Sequence, residues 1–167
     1  LAYNCQRLFG KVGIIDSATE FIKIKKLGPD ALYINFSNFK HAIKYSRAMI
    51  KTTLMNQKLL AGIGIIYADE ILFQTGIHPE TNSNRIKPNK IHILFQKMKE
   101  VLKTAIECKA KPEAFPENYL IPVRAKGESC PQCRSKIVMI KISARGTYFC
   151  PKCQINRDYV PHSEGIG

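Results

Sequence analysis

A chain of 167 residues, 45% of them hydrophobic, can bury a core as one compact domain or as two small ones. Its apolar stretches are interrupted by Lys, Asp or Gly within a few residues, which excludes a transmembrane helix, and its start does not resemble a signal peptide. Lysine and arginine number 26 against 13 acidic residues, a formal net charge of +13. This excess predicts a polyanion or an anionic surface as partner; a merely solvated basic surface is the alternative interpretation.

The first part of the chain, residues 1–36, has a partly alternating pattern followed by a turn. Apolar residues separated by polar or small ones at 12–14 and 21–24 predict one or two strands, and Leu27-Gly28-Pro29-Asp30 predicts the turn. This stretch is too short to close a sheet by itself. We therefore interpret residues 1–36 as the end of a β domain whose beginning is missing.

The middle part, residues 37–123, has a helical hydrophobic period. Gly76 with Pro79 beyond it predicts a helix end, and Pro88 suits a first helical turn. Four helices are expected. The first starts after Ser37 as N-cap and the second covers 50–57. The third runs from the glycine pair at 62–64 to Gly76, and the fourth runs from Pro88 to about Cys108. Three prolines within 110–123 predict a linker.

The last part, residues 124–167, contains two Cys-x-x-Cys pairs, Cys130 with Cys133 and Cys150 with Cys153. Each pair can aim two sulfurs at one point, and two pairs complete a tetrahedron. Strand-forming residues on either side of a turn at 143–146 predict a hairpin between the pairs.

This spacing favours a metal site in a reducing, intracellular compartment over a secreted disulfide scaffold. Four cysteines leave no ligand position open, so we expect one structural Zn²⁺ that the segment needs in order to fold. A redox pair or an iron–sulfur cluster is the alternative. Arg145, expected at the tip of the hairpin, is either a solvated turn residue or an arginine presented to phosphate or a base. The predicted fold is mainly α with this small β hairpin.

Four motifs in this order resemble the formamidopyrimidine-DNA glycosylase / endonuclease VIII family of base-excision repair enzymes, along nearly the whole chain. Residues 56–73 resemble its helix–two-turn–helix signature, which continues as Gly76-Ile77-His78-Pro79, and residues 145–154 resemble the end of its zinc finger. Arg7-Leu8-Phe9-Gly10 and residues 27–30 resemble the end of its β-sandwich and its interdomain passage. The resemblance implies residual sandwich strands, a helix–two-turn–helix domain and a zinc finger.

The resemblance also implies a monomer that binds double-stranded DNA carrying a damaged base or an abasic site, and no membrane. The turn at Gly62 and Gly64 would present bare backbone N–H groups to a phosphate at a helix start. Glu70 would make internal hydrogen bonds that steady the two turns. The implied DNA contacts are Gly62, Gly64, Tyr67, Lys58 and Arg145 on phosphates or nearby, with Arg7 and Phe9 entering the duplex where a base is flipped out. Without the resemblance, a plain glycine turn, a surface arginine and a core phenylalanine would be the ordinary interpretations.

Two departures from the family pattern matter. The family's chemistry uses an N-terminal proline, which forms a Schiff base, and a following glutamate. This chain begins Leu1-Ala2-Tyr3, so we expect no catalytic residue in it. It would be part of a bifunctional glycosylase and apurinic-site lyase, or a naturally short protein that binds without cutting; a zinc-ribbon RNA-binding module is a more distant alternative. The second departure is Ile65, where the family has an asparagine that bonds the lesion-side phosphate, so we expect a weaker grip.

Overall fold

In the computed structural model, residues 13–14 and 16–155 are described. Over these residues the chain is mainly helical with one two-stranded antiparallel sheet, which confirms the predicted fold class. None of the helices in the described ranges is both long and apolar enough to cross a bilayer. The elements are α1 (Ala18–Lys25), α2 (Phe36–Lys44), α3 (Ile50–Leu54), α4 (Ile65–Thr75), α5 (Pro88–Glu107), β1 (Val138–Ile142) and β2 (Arg145–Phe149), with short 3₁₀ turns at Ser83–Arg85, Pro112–Ala114 and Ile121–Val123.

Helix α1 replaces the strand predicted over 21–24, so the expectation of residual sandwich strands is wrong there. Ser17 caps the helix by accepting a hydrogen bond from the Glu20 amide at 3.2 Å. The helix ends where Lys26 adopts the left-handed conformation, with φ of 51°. A serine followed three residues later by glutamate is a helix-start signal, and it outweighed the short alternating pattern.

The main core lies between α4 and α5, with α2 and α3 packed around them. Leu72 of α4 and Leu94 of α5 are fully buried, as the helical period of the apolar residues predicts. Helix α2 starts one residue before the predicted N-cap Ser37, because Asn35 caps it by accepting from the Asn38 amide at 2.9 Å. Helix α3 ends at Leu54, earlier than the predicted residue 57.

The predicted ends of the two long helices are confirmed. Gly76 closes α4 in the left-handed conformation, with φ of 64°, and Pro88 occupies the start of α5. Gly76 has a second role, since a Cβ there would lie 3.3 Å from the carbonyl oxygen of Cys153. The C-terminal end of α4 therefore lies directly against the cysteine-rich segment.

The segment at 110–123, which its three prolines predicted to be a linker, is packed against the domain through several of its residues. Phe115 and Tyr119 join the main core, and Leu120 is fully buried against Phe73 of α4 in a second cluster. The carboxylate of Glu70 accepts from the amide of Ile121 at 2.8 Å. Glu70 thus has internal partners as expected, but those that the described residues provide anchor this segment to α4 and do not lie in the two turns.

Strands β1 and β2 form the predicted hairpin, in a register that pairs Val138 with Phe149 and Ile142 with Arg145. The turn consists of Ser143 and Ala144, which both have positive φ, 48° and 61°. Two left-handed residues are what the tightest hairpin turn requires. Arg145 is therefore the first residue of β2, one step inside the strand, and not part of the turn itself.

Candidate nucleic-acid interface and metal centre

The loop between α3 and α4 is held by the side chain of Gln57. Its amide nitrogen donates to the carbonyl oxygens of Met55 at 3.2 Å and Ile63 at 2.9 Å, and its Oε1 accepts from the Gly62 amide at 3.0 Å. Gly62 has φ of 98°, a conformation that a glycine adopts without strain. Its amide donates to Gln57 inside the loop, so Gly62 contributes to the shape of the turn, and its predicted contact with a phosphate stays a prediction.

The segment at 27–30 is hydrogen-bonded to this loop through the backbone. The Gly28 amide donates to the Gln57 carbonyl at 2.8 Å, and the Ala61 amide donates to Pro29 at 3.0 Å. A Cβ on Gly28 would lie 2.6 Å from the carbonyl oxygen of Lys58, closer than real side chains approach. Glycine is therefore required at 28 for the two segments to pair.

The N-terminus of α4 is open to the surface. Gly64 is its N-cap residue, with extended backbone, and within the described part of the chain no side chain caps the helix. A Cβ at Gly64 would meet nothing within 4 Å, so this terminus has room for an approaching group. The exposed first-turn amides and the helix dipole favour an anion at such a position. Ile65 and Ile66, the first two helical residues, are 38% and 46% exposed.

Arg145 lies beside this helix terminus, although 80 positions separate it from Ile65 in the chain. Arg145 and Ile65 line a groove of about 220 Å³, together with Met55, Gln57, Ile63 and Gly64. Arg145 is exposed, and among the described residues no hydrogen bond or ion pair engages its guanidinium. An available guanidinium next to an uncapped helix N-terminus can bind a phosphate.

The other predicted DNA contacts are placed differently. Lys58 is exposed on the same loop as Gln57. Tyr67 is half-buried and lines a separate cavity of about 430 Å³ with Asp30 and Leu102, on which Gly62 also borders. Arg7 and Phe9 lie outside the described residues. The structure therefore brings Gly64 and Arg145 together and leaves Tyr67 in another cavity.

A buried charge network positions the hairpin that carries Arg145. The amine of Lys51 lies 2.6 Å from Asp69 Oδ1 and donates to the Thr147 hydroxyl at 2.7 Å and to the Gly146 carbonyl at 3.2 Å. Arg124 donates to Asp69 Oδ2 from two nitrogens, at 3.0 Å and 2.7 Å. Sequence reasoning missed Lys51 and Arg124. The sequence signal that could have indicated this network was a charged residue, Asp69, within the apolar stripe of a helix, because a buried charge needs partners of opposite sign.

Burial shifts the titration of three groups around this interface. Burial lowers the pKa of the Lys51 amine, against the opposing effect of Asp69. Burial raises the pKa of the Glu70 carboxyl. His78 stacks edge-on against Phe149, with ring centroids 4.6 Å apart, and burial lowers its pKa to about 4. His78 is therefore neutral at physiological pH.

The four predicted metal ligands converge on one point. The sulfur atoms of Cys130, Cys133, Cys150 and Cys153 all lie within 4.8 Å of one another, with Cys130 to Cys153 at 3.8 Å and Cys133 to Cys150 at 3.5 Å. Sulfurs held about 2.3 Å from one tetrahedral zinc ion lie about 3.8 Å apart, so the four residues fit Zn²⁺.

The metal centre is joined to α4 by Gln154. Its Oε1 accepts from the Cys150 amide at 3.0 Å, and its Nε2 donates to the Ile77 carbonyl at 2.9 Å. Cys130 and Cys150 are fully buried in the cluster that contains Phe73 and Leu120. All ligands are protein sulfurs, so the ion organises structure and leaves no position for a reacting water.

This fold and site define a class of protein: a helix–two-turn–helix domain with a four-cysteine zinc finger docked on α4. Residues 27–115 match the family model of the formamidopyrimidine-DNA glycosylase H2TH domain, and residues 127–155 match the zinc finger found in FPG and IleRS. The chain belongs to the formamidopyrimidine-DNA glycosylase H2TH family. Its four cysteines form a structural zinc site.

Similar proteins span more than this chain. Formamidopyrimidine-DNA glycosylase of Mycoplasmopsis pulmonis is 35% identical over 96% of this chain and 62% of its own length, and that of Lactobacillus acidophilus is 36% identical over 93% and 61%. Lactococcus lactis Fpg, solved with DNA containing an abasic site, superposes with a TM-score of 0.73 at 32% identity, covering 84% of this chain and 56% of that one. MutM, solved with DNA containing carbocyclic 8-oxo-G, gives 0.73 at 33% identity, covering 84% and 55%. The chain spans about three fifths of the length of the curated relatives named here.

Proposed function

We propose that this chain binds double-stranded DNA carrying a damaged base or an abasic site, as the DNA-binding part of a base-excision repair protein. The observation that carries this is the groove in which Arg145 lies beside the uncapped N-terminus of α4. An arginine and a helix terminus together suit a backbone phosphate. The net charge of +13 and the DNA bound to the similar Lactococcus lactis and MutM structures support the same conclusion.

We further propose that the whole protein is a DNA glycosylase, as the names of its relatives suggest, and that it has the apurinic-site lyase activity that the family resemblance implies. The 167-residue chain by itself binds without cutting, because its first residues, Leu1-Ala2-Tyr3, are not the N-terminal proline and glutamate to which the resemblance assigns the chemistry. Borohydride reduction tests this, since it traps a Schiff base as a covalent protein–DNA adduct. A longer protein that includes the pair should be trapped, whereas the 167-residue chain should not; a trapped adduct of the short chain would contradict this proposal.

Binding is tested with a duplex containing a tetrahydrofuran abasic analogue, over a series of salt concentrations. Affinity should fall steeply with salt, and Arg145→Ala should weaken binding to every sequence and reduce the salt slope by about one. Lys141→Ala is the matched control. Lys141 precedes Ile142, the cross-strand partner of Arg145, so its side chain lies on the opposite face of the hairpin. Equal effects of the two substitutions would contradict the proposed interface, and a preference for an RNA hairpin would favour an RNA-binding module.

A further inference from the structure

Apart from Arg145 and Gln57, the side chains that line the groove beside Arg145 are apolar. Met55, Ile63 and Ile65 supply apolar side chains; Ile65 is the exposed one at 38%, against 7% for Met55 and 1% for Ile63. Gln57 also borders the groove, but its amide is engaged in three hydrogen bonds within the loop. Among the described residues that line the groove, Arg145 is the one with an ionised side chain. A group that enters the groove meets the Arg145 charge and the uncapped start of α4 on one side, and apolar side chains on the other.

The volume of the groove limits what it holds. At about 220 Å³ it is smaller than the roughly 300–1,000 Å³ of typical small-molecule sites. It therefore suits a single sugar-sized group and not a base pair. A sugar bonded to a phosphate fits both the charged and the apolar lining of the groove. The phosphate pairs with the Arg145 guanidinium, and the carbon-rich sugar packs on the aliphatic side chains.

The lining also distinguishes two sugars. The 2′-hydroxyl is the group by which a protein tells RNA from DNA at a given position. Against Ile65 this hydroxyl would lose its water without gaining a hydrogen bond, which is unfavourable. A 2′-deoxyribose carries only hydrogens at this position, so no hydrogen bond to water is lost when it packs against Ile65.

We propose that this groove holds one deoxyribose of the DNA backbone, with its phosphate on Arg145, and that Ile65 selects deoxyribose over ribose at that one position. The inference rests on the proposed function. It assigns Ile65 a role as a specificity-determining residue. Its neighbour Ile66 is more exposed, at 46%, but does not line the groove, so it provides the internal control.

The test is a scan of single ribonucleotides through a tetrahydrofuran-containing duplex, with the dissociation constant of the full 167-residue chain measured for each. At one position, or two adjacent ones, a ribonucleotide should weaken binding about tenfold. Ile65→Thr, which offers a hydroxyl to the 2′-OH, should reduce this ratio to about twofold. Ile65→Val, which has the same shape as threonine without the hydroxyl, should keep the full ratio, and so should Ile66→Thr. Thermal unfolding confirms that each variant folds.

The outcomes separate this inference from the proposed function. If the chain does not prefer the all-deoxy damaged duplex to undamaged DNA, the proposed function fails and this inference fails with it. If the chain binds that duplex but tolerates a ribonucleotide at every position, only the sugar selection is wrong. Identical ratios for Ile65→Thr and Ile65→Val would also overturn it, because the hydroxyl would then not matter.

Discussion

The amine of Lys51 lies 2.6 Å from Asp69 Oδ1, and neither side chain is exposed to solvent. The same amine donates to the Thr147 hydroxyl at 2.7 Å, while Asp69 Oδ2 accepts from the Tyr148 amide at 3.2 Å. One ion pair between α3 and α4 therefore also holds strand β2, which begins at Arg145. The orientation of the arginine on the surface depends on charges beneath it.

Removing one partner of this pair should destabilise the fold strongly. Lys51→Met leaves part of a buried carboxylate and a buried hydroxyl without their donor, and we expect the free energy of unfolding to fall by about 3–5 kcal/mol. Lys97 is the matched control, because its pair with Glu100 is 2.8 Å long but exposed. Lys97→Met should cost less than about 1 kcal/mol. Urea unfolding with zinc present measures both, and equally small losses would mean that the buried pair does not hold the hairpin.

Substituting alanine for Gly28 or for Gly64 should affect the melting temperature differently. Gly28→Ala places a Cβ 2.6 Å from the Lys58 carbonyl oxygen, so the turn must shift and the melting temperature should fall. Gly64→Ala meets nothing within 4 Å and should lower the melting temperature only slightly, because alanine is a poorer N-cap residue than glycine. We expect Gly64→Ala nevertheless to weaken binding to abasic duplex, because the DNA backbone would approach there. Unchanged affinity in a folded Gly64→Ala variant would place the DNA elsewhere.

His78 should make stability fall in mild acid. Its pKa is about 4 in the folded protein against 6.5 for an ordinary histidine, so the unfolded chain binds more protons between these values. The free energy of unfolding should therefore decrease as pH drops from 6.5 to 4, by at most about 3 kcal/mol.

His78→Asn isolates this effect, because asparagine Oδ1 can accept from the Glu80 amide in place of the ring Nδ1, 3.3 Å away. Thermal unfolding of both proteins at matched pH values gives the difference curve, which also cancels acid effects on the metal site. A variant whose stability falls just as steeply between pH 6.5 and 4 would show that another group is responsible.

Removing zinc should release the finger and spare the helices. The sulfurs converge within 4.8 Å, and without an ion the thiols are held by a small apolar cluster and by hydrogen bonds to the Ser135 hydroxyl. We expect chelation to unfold residues 124–155, to loosen Leu120 against Phe73, and to keep most of the helical circular dichroism signal. Hydrogen exchange locates the change; protection that survives chelation between β1 and β2 would contradict a structural role for the metal.

Ile65→Asn should tighten binding to abasic duplex DNA. The isoleucine side chain at the start of α4 cannot donate a hydrogen bond, whereas the asparagine expected from the family resemblance can bond a phosphate, worth roughly 1.5–3 kcal/mol for a charged acceptor. Since the side chain is 38% exposed, the substitution should not disturb the core. Ile66→Asn serves as the control. If both variants bind as the parent does, the phosphate does not reach this turn.

The sequence was most informative where a local signal decides the outcome. Gly76 and Pro88 fixed the ends of α4 and α5 because left-handed backbone and a missing N–H act within one helical turn. The spacing of the cysteines predicted their convergence, since each tight turn fixes two sulfurs. Where two local signals competed, as at the Ser17 cap of α1, the alternating pattern gave the wrong answer.

What the sequence by itself determined was the set of parts: apolar helices, a glycine turn, and a four-cysteine hairpin rich in basic residues. The tertiary structure decided how they combine. Only packing brings Arg145 beside Gly64, engages the Gly62 amide with Gln57, and buries Phe115 and Tyr119 of the predicted linker 110–123 in the core. The physical reason is burial: once α3, α4 and β2 exclude water from Lys51 and Asp69, these charges must pair, and their pairing sets where the arginine lies.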